Sequence, residues 1–184
     1  MDAWVWILIG VIVLVALAVT AWAVQRSRRT SALKERFGPE YDRVASDASS
    51  TRDAEAELRE REQRRSDFDI EPLEPGARER YREQWEAVQA RFVDDPAGAV
   101  GDADTLIRRV MRDRGYPVDD FETRAADISV DHPDVVENYR AGHGIATAYE
   151  RGNAGTEELR HAVKHYRALF EELVEARDTQ EVTR

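Results

Sequence analysis

The sequence predicts an all-α protein, and three observations carry that prediction. The first is an N-terminal run, residues 3–24, that contains no charged side chain. The second is a set of apolar stripes at helical spacings of three and four residues in the C-terminal half. The third is that no stretch alternates polar and apolar residues with period two, as a half-buried strand would. Together they predict an N-terminal transmembrane helix, a charged helical stalk and a small C-terminal helical bundle.

Residues 3–24 have the length and the composition of a single membrane-spanning helix. Their 22 residues cover roughly 33 Å at ~1.5 Å of rise per residue. A hydrocarbon core of about 30 Å needs around 20 apolar residues. The tryptophans lie near the two ends of the run, where indole rings favour the membrane interfaces: Trp4, Trp6 and Trp22. We therefore interpret residues 3–24 as an anchor in the lipid bilayer.

An arginine collar, Arg26, Arg28 and Arg29, follows the run directly, whereas no Lys or Arg precedes it. The positive-inside bias then places the N-terminus outside the cell and the C-terminal domain in the cytoplasm, with the collar on anionic lipid headgroups of the cell membrane. The alternative is a cleaved signal peptide, because Ala21-Trp22-Ala23 resembles a cleavage site. The missing basic n-region and the length of the run favour an uncleaved anchor.

The charge is divided unevenly along the chain. Residues 1–36 carry a net charge of +3, and the remaining 148 residues carry −13. Such an acidic region argues against nucleic acid as a partner, because binding to phosphates needs a concentrated basic face. Cysteine is absent, which excludes disulfides, thiolate metal sites and a cysteine nucleophile.

Residues 25–66 are predicted to form the basic collar and the stalk. Gly38-Pro39 breaks the first helix, and few large apolar residues follow. Pairs of Glu and Arg at i,i+4 are each worth roughly 0.2–0.5 kcal/mol and favour a solvated helix: Glu55/Arg59, Glu57/Arg61 and Glu60/Arg64. Dimerisation of the stalk is the less favoured interpretation, because its heptad positions are only half apolar: Tyr41, Val44, Ala48, Thr51, Glu55, Leu58 and Glu62.

Residues 67–75 are predicted to be an extended linker, because Pro72 and Pro75 disfavour a helix. Its apolar side chains, Phe68, Ile70 and Leu73, are expected to dock on the next domain. That domain is a helical bundle over residues 76–177, followed by a disordered tail over residues 178–184.

The bundle is predicted to contain four long helices and one short helix. The expected starts are Pro75, Asp95-Pro96, Val118, Asp131 or His132 with Pro133 in the first turn, and Thr156. The short helix is expected to end at Ala126. The last helix has the clearest apolar stripe: Leu159, Val163, Tyr166, Phe170 and Leu173.

Three groups of residues are candidates for chemistry, and each has a simpler explanation. His161 and His165 have the i,i+4 spacing of metal ligands, but both are expected on the solvent face of the last helix. Asp119 and Asp120 are an acidic pair next to a helix start, where capping explains them. Gly142-His143-Gly144 lacks the preceding strand of a phosphate loop, which favours a helix kink or close helix packing. No nucleophile, kinase or nucleotide motif is present, and we predict no catalytic, cofactor or metal residues.

The most individual stretches of the chain are RDRGYPVDDF at residues 112–121 and DHPDVVENY at residues 131–139, together with RFGPEY at residues 36–41 and ARFVDDP at residues 90–96. With these motifs the chain resembles a family of uncharacterised single-pass membrane proteins found mainly in actinobacteria. The resemblance covers nearly the whole chain. It implies the same domain layout and brings no known activity.

We favour a membrane-anchored, non-enzymatic interaction module whose acidic cytoplasmic domain binds a protein partner. The expected contact surface lies at the loop corners, where aromatic residues are unusual as mere connections: Tyr116, Phe121, His132 and Tyr139. One alternative is a helical enzyme or small-ligand sensor that uses His143 and the pair Asp119/Asp120. Another is a structural envelope protein that forms a homodimer through its stalk.

Overall fold

We describe the fold from a computed structural model that covers residues 3–74 and 76–175 of the 184-residue chain. The side chains of residues 3 and 5–11, Trp6 among them, lie outside the described set, as do Pro75 and the predicted tail, residues 178–184. The described residues form eight helices and no strand, which confirms the all-α prediction: α1 (Ala3–Phe37), α2 (Pro39–Asp47), α3 (Thr51–Ser66), α4 (Ala77–Arg91), α5 (Pro96–Asp113), α6 (Phe121–Asp131), α7 (Val136–Glu150) and α8 (Thr156–Glu175).

Helix α1 has two parts with opposite surroundings. The described side chains of its apolar N-terminal part are exposed, and the large ones are 46–69% exposed up to Val24. Its C-terminal end carries Leu33 and Phe37, which are both buried. Among the residues whose side chains are described, no helix combines the length and the apolar character needed to cross a membrane. Because about a third of the run lies outside that set, the transmembrane helix at residues 3–24 stays a prediction.

The chain turns back after α1, as Gly38-Pro39 predicts. Gly38 has a φ of +46°, a backbone conformation that glycine adopts without the strain of a side chain. Helix α2 then returns alongside α1, and α3 runs forward again. Their apolar residues form an N-terminal cluster with the end of α1 and one residue of α6: Leu33, Phe37, Tyr41, Val44, Ala54, Leu58 and Val130.

This N-terminal cluster corrects the prediction of a solvated stalk. Tyr41, Val44 and Leu58 are too few to give one helix an apolar stripe, but the turns bring them from two helices onto one small core. The three Glu/Arg pairs of α3 do form. However, Arg61 and Glu55 of these pairs are buried rather than solvated.

The segment between α3 and α4 is extended, as predicted. Leu73 is buried in the core of the bundle and Ile70 packs against that core. The backbone amide of Glu71 donates to the carbonyl of Arg114 at 2.9 Å. Residues 67–74 are therefore fastened to the loop after α5.

Helices α4 to α8 enclose the bundle core, and the predicted stripes point into it. Four of the five stripe residues of α8 are buried, and Val163 packs at the edge. Trp85 of α4 stacks on Phe170 of α8, with their ring centroids 4.7 Å apart. The starts at Pro96 and Thr156 are confirmed, and the Asp95 carboxylate caps α5 through the amide of Gly98 at 2.9 Å.

Three helix boundaries in α6 and α7 differ from the prediction. The short helix begins at Phe121, not at Val118, because the carboxylate of Asp120 caps it by accepting from the amide of Thr123. That helix then continues to Asp131, so His132 ends α6 instead of capping α7. The position before α7 is occupied by Val135, which makes no side-chain cap.

Candidate functional site

The junction between the apolar part of α1 and the folded domain carries an exposed tryptophan beside several arginines. Trp22 is 62% exposed, and the guanidinium carbon of Arg26 lies 5.6 Å from the centre of its ring. Trp22, Arg26 and Arg29 recur at spacings of four and three, which places them on one face of α1. Arg28 is exposed on a different face.

Helix α3 faces this side of α1 and closes a cavity with it. The cavity has a volume of about 160 Å³ and a lining rich in arginine: Trp22, Gln25, Arg26, Arg29, Arg52, Glu55 and Arg59. A second cavity continues along the same two helices and shares Arg29 and Arg59 with the first. We call the two together the α1–α3 groove.

Two contacts hold α3 against α1 along this groove. The Thr30 hydroxyl donates to Glu55 Oε1 at 2.6 Å, and Arg36 Nε lies 3.4 Å from Glu62 Oε1. Glu55 also accepts from Arg59 Nη2 at 2.8 Å through its other oxygen. Thr30 and Arg36 of α1 contact Glu55 and Glu62 of α3 in the same order along the chain. The two helices therefore run parallel.

A buried carboxylate attaches the same helices to the bundle. Glu40 of α2 is 2% exposed and accepts hydrogen bonds from three arginines. Arg61 of α3 donates at 2.6 Å, Arg140 of α7 donates twice at 2.6 and 3.0 Å, and Arg43 of α2 donates at 2.9 and 3.0 Å. We call this group the Glu40 cluster.

The electrostatics of the Glu40 cluster keep the carboxylate ionised. Burial alone would raise the pKa of Glu40, but the hydrogen bond from Arg43 and the charge of Arg140 outweigh it and lower that pKa below its ordinary value. The cluster therefore stays an ion-pair network at neutral pH. Its residues come from α2, α3 and α7, so it joins the N-terminal helices to the bundle.

The predicted partner surface at the loop corners is buried, and this prediction is corrected. Tyr139 is fully buried, Tyr116 and His132 are nearly so, and only Phe121 keeps partial exposure. Their polar atoms are used inside the protein. The Tyr116 hydroxyl donates to Asp131 at 2.6 Å, and the Tyr139 hydroxyl accepts from Arg124 at 2.7 Å. Tyr116, His132 and Tyr139 are therefore used in packing inside the domain.

The residues of the enzyme alternative are explained by folding. Asp119 and Asp120 are exposed, and Asp120 caps α6. His143 stacks on Phe121 with ring centroids 3.6 Å apart. His161 is exposed, and Nδ1 of His165 lies 2.9 Å from Asn138 Oδ1. In the part of the chain that the structure describes, no group of three His, Cys, Asp or Glu side chains could hold a metal ion.

The sequence predicts Arg26 and Arg29 at the membrane surface, whereas Arg52 and Arg59 were not predicted to join them there. Their positions follow from the return of the chain through α2. Helix α2 has nine residues and spans ~14 Å, which is the length of α1 from Phe37 back to Arg29. The serines at 49 and 50, with Ser50 capping α3, were the available signal of that second turn.

No protein-family model, no curated protein and no solved structure matches the chain. The resemblance to an actinobacterial membrane-protein family therefore stays a prediction. The proposed function is therefore based on the geometry of the chain itself.

Proposed function

We propose that the chain is a single-pass membrane protein that holds an acidic helical domain at the cytoplasmic face of the cell membrane as a non-enzymatic interaction module. One observation carries the proposal. The described apolar side chains of α1 from Ile12 to Val24 are exposed, directly before an arginine collar. Ile12, Val13, Leu14 and Val15 are consecutive and all exposed. At ~100° per residue they point in every direction around the helix, and a helix that is apolar on all sides favours a lipid environment.

The polar groups of α1 support the same environment. Thr20 is the one hydroxyl residue of the run, and its Oγ1 donates to the carbonyl of Ala16 at 2.8 Å. That bond satisfies the hydroxyl inside the helix, as lipid requires. Trp4 and Trp22 are both more than 60% exposed, and their spacing of 18 residues covers ~27 Å, so each indole ring reaches an interface.

The domain supports a role in holding and binding rather than in catalysis. Its net charge of −13 favours a protein partner with a basic surface. The corner aromatic residues and His143 are used in packing, so no observation favours the enzyme alternative. The homodimer alternative loses its interface, because Tyr41, Val44 and Leu58 are covered within the same chain.

Protease accessibility tests the anchor and its orientation. A full-length protein with a C-terminal epitope should stay with the membrane fraction after carbonate extraction. Protease added to intact cells should leave the epitope uncut, and protease added after permeabilisation should remove it. Release of the epitope from intact cells would reverse the orientation, and loss from the carbonate pellet would refute the anchor. A variant with Arg26, Arg28 and Arg29 all replaced by Glu is the control, since it removes the charge bias that sets the orientation.

A further inference from the structure

We propose that the α1–α3 groove binds the phosphate of an anionic lipid headgroup, with Arg26, Arg29 and Arg52 as its ligands. The proposal rests on the proposed function, because the groove meets a lipid headgroup only if residues 3–24 cross the bilayer. It adds a defined site to the general attraction of a basic collar for an anionic surface.

The groove holds more positive charge than its own carboxylates neutralise. Glu55 is committed to Arg59 and Thr30, and Glu62 pairs with Arg36. Among the described residues, no carboxylate oxygen lies within 4.0 Å of the guanidinium nitrogens of Arg26, Arg29 or Arg52. Asp53 follows Arg52, but its carboxylate accepts from Ser50 at 2.8 Å and does not line the cavity. Arg26, Arg29 and Arg52 therefore line one cavity, and none of the three forms an ion pair with a described carboxylate.

The depth of the groove matches the headgroup layer. If the hydrocarbon core ends at Val24, then Arg26 lies ~3 Å and Arg29 ~7.5 Å beyond it along the helix. The polar layer on each side of a bilayer is about 5–8 Å thick. Trp22 lines the same cavity and marks the interface from the apolar side.

Helix α3 adds a second source of positive potential at this depth. Because α1 and α3 run parallel, the N-terminus of α3 is the end nearest the membrane. Ser50 caps that end, and Arg52 reaches the cavity from its first turn. The positive end of the helix dipole thus faces the same space as the three guanidinium groups.

The residue types fit a phosphate at this surface. All the cations that line the cavity are arginines, whose planar guanidinium groups donate paired hydrogen bonds to phosphate oxygens. The volume of about 160 Å³ admits a headgroup phosphate. A lipid phosphate, which lies at this depth in a membrane, is the source to which the geometry points.

The test uses the full-length protein in detergent micelles and isothermal titration with dioctanoyl phosphatidic acid. Arg52→Gln is the diagnostic variant, because Arg52 belongs to α3 and not to the collar. Arg28→Gln is the matched control, since Arg28 belongs to the collar and does not line the groove. We expect saturable binding by the wild type and binding about tenfold weaker for Arg52→Gln, since this variant loses charge-assisted hydrogen bonds to the phosphate. Arg28→Gln should stay within about twofold of the wild type, as an exposed and screened charge would.

Three outcomes would overturn the site. Equal losses in Arg52→Gln and Arg28→Gln would mean diffuse attraction to the collar. Equal affinity for dioctanoyl phosphatidylcholine would mean that the micelle surface alone is measured. Inorganic phosphate that binds as tightly as the lipid would assign the groove to a soluble anion. Arg29→Gln is a second variant, expected to lose binding as Arg52→Gln does, and unchanged thermal unfolding of each variant separates lost contacts from lost folding.

Carbonate extraction of the same proteins distinguishes this proposal from the anchor. Wild type and Arg52→Gln that both stay in the membrane, while their lipid binding is equal, would refute only the groove. Wild type that leaves the membrane would refute the anchor and the groove together.

Discussion

Helix α7 is held on its two sides by different kinds of contact, and the contrast separates the N-terminal helices from the bundle. On one side Arg140 donates two hydrogen bonds to the buried carboxylate of Glu40. On the other side Gly142 lies against the ring of Tyr166 of α8. The first contact joins α7 to residues 100 positions away through charge, and the second joins neighbouring helices through close packing.

The N-terminal cluster and the bundle core are held together by different kinds of contact because they differ in size. The N-terminal cluster has seven buried apolar residues, whereas the bundle core has 24. A small apolar area supplies little orientation, because burial of apolar surface is not directional. The Glu40 cluster supplies geometry, since its hydrogen bonds are satisfied only when α2, α3 and α7 are all in place. The bundle needs no such device, because interlocking side chains define it.

The largest expected effect follows from removing the charge of Glu40. Glu40→Gln keeps the size of the side chain but leaves the buried Arg140 without a carboxylate and leaves Arg61 with Glu57 alone. Breaking a buried ion pair in this way is destabilising by about 3–5 kcal/mol. Urea unfolding of the full-length protein in detergent, followed by circular dichroism, measures the loss. Hydrogen exchange should place it in α2 and α3, while α5 and α8 keep their protection.

The matched control is Glu60→Gln on α3, which removes an exposed partner of Arg64. An exposed pair contributes only about 0–1 kcal/mol, so this variant should unfold close to the wild type. Similar unfolding of both glutamine variants would show that the Glu40 cluster orients nothing. The contrast between the two sides of α7 would then fail.

The second prediction concerns the packed side of α7. A Cβ at Gly142 would lie 2.9 Å from two ring carbons of Tyr166 and 3.3 Å from the carbonyl of Ala162. Gly142→Ala should therefore force α7 and α8 apart and destabilise the protein by about 1–3 kcal/mol. Thermal unfolding measures this change.

Gly144 provides the control for helix propensity. It lies in the same helix, and a Cβ there meets nothing within 4 Å. Gly144→Ala should therefore stabilise the protein by up to ~1 kcal/mol, since alanine favours a helix over glycine. Stabilisation by both alanine variants would contradict the close approach at Gly142.

The sequence predicts the packed side of α7 but not its charged side. The sequence predicts a helix kink or close packing at Gly142-His143-Gly144, and close packing is confirmed at Gly142. The sequence predicts the stripes of α5 and α8 because apolar periodicity depends only on residues that are close together in the chain. The sequence does not predict the Glu40 cluster, because Arg140 is 100 residues from Glu40 and no local pattern connects the two. Its members looked like solvated helix charges, and only the return of α2 and α3 brings them together.

The same limit explains the error at the loop corners. Tyr116 and His132 lie beside Gly and Pro residues, a pattern typical of exposed turns. Exposure is decided by what covers a turn, and here α3 and α8 do so. The Arg65 guanidinium of α3 reaches Asp131, the partner of Tyr116. Glu172 of α8 reaches His132.

The smallest expected effect belongs to His132, where the charged and the packed regions meet. Burial lowers the pKa of His132 below its ordinary value, and the hydrogen bond to Glu172 offsets only part of that shift. Arg114 favours the neutral ring, and Asp131 favours the charged ring. With its pKa depressed in the folded state, His132 contributes stability that is present above the unfolded pKa of about 6.5. That stability is lost as the pH falls through the folded pKa.

Unfolding of the wild type and of His132→Gln at several values between pH 7.5 and 5 tests this sign. The wild type should lose stability toward acid, and His132→Gln should lose less across the same range. His161→Gln, which changes an exposed histidine of α8, should keep the pH profile of the wild type. A profile that flattens in His161→Gln but not in His132→Gln would contradict the assignment. The corner would then titrate as a solvated surface, and the packing of α8 over it would be wrong.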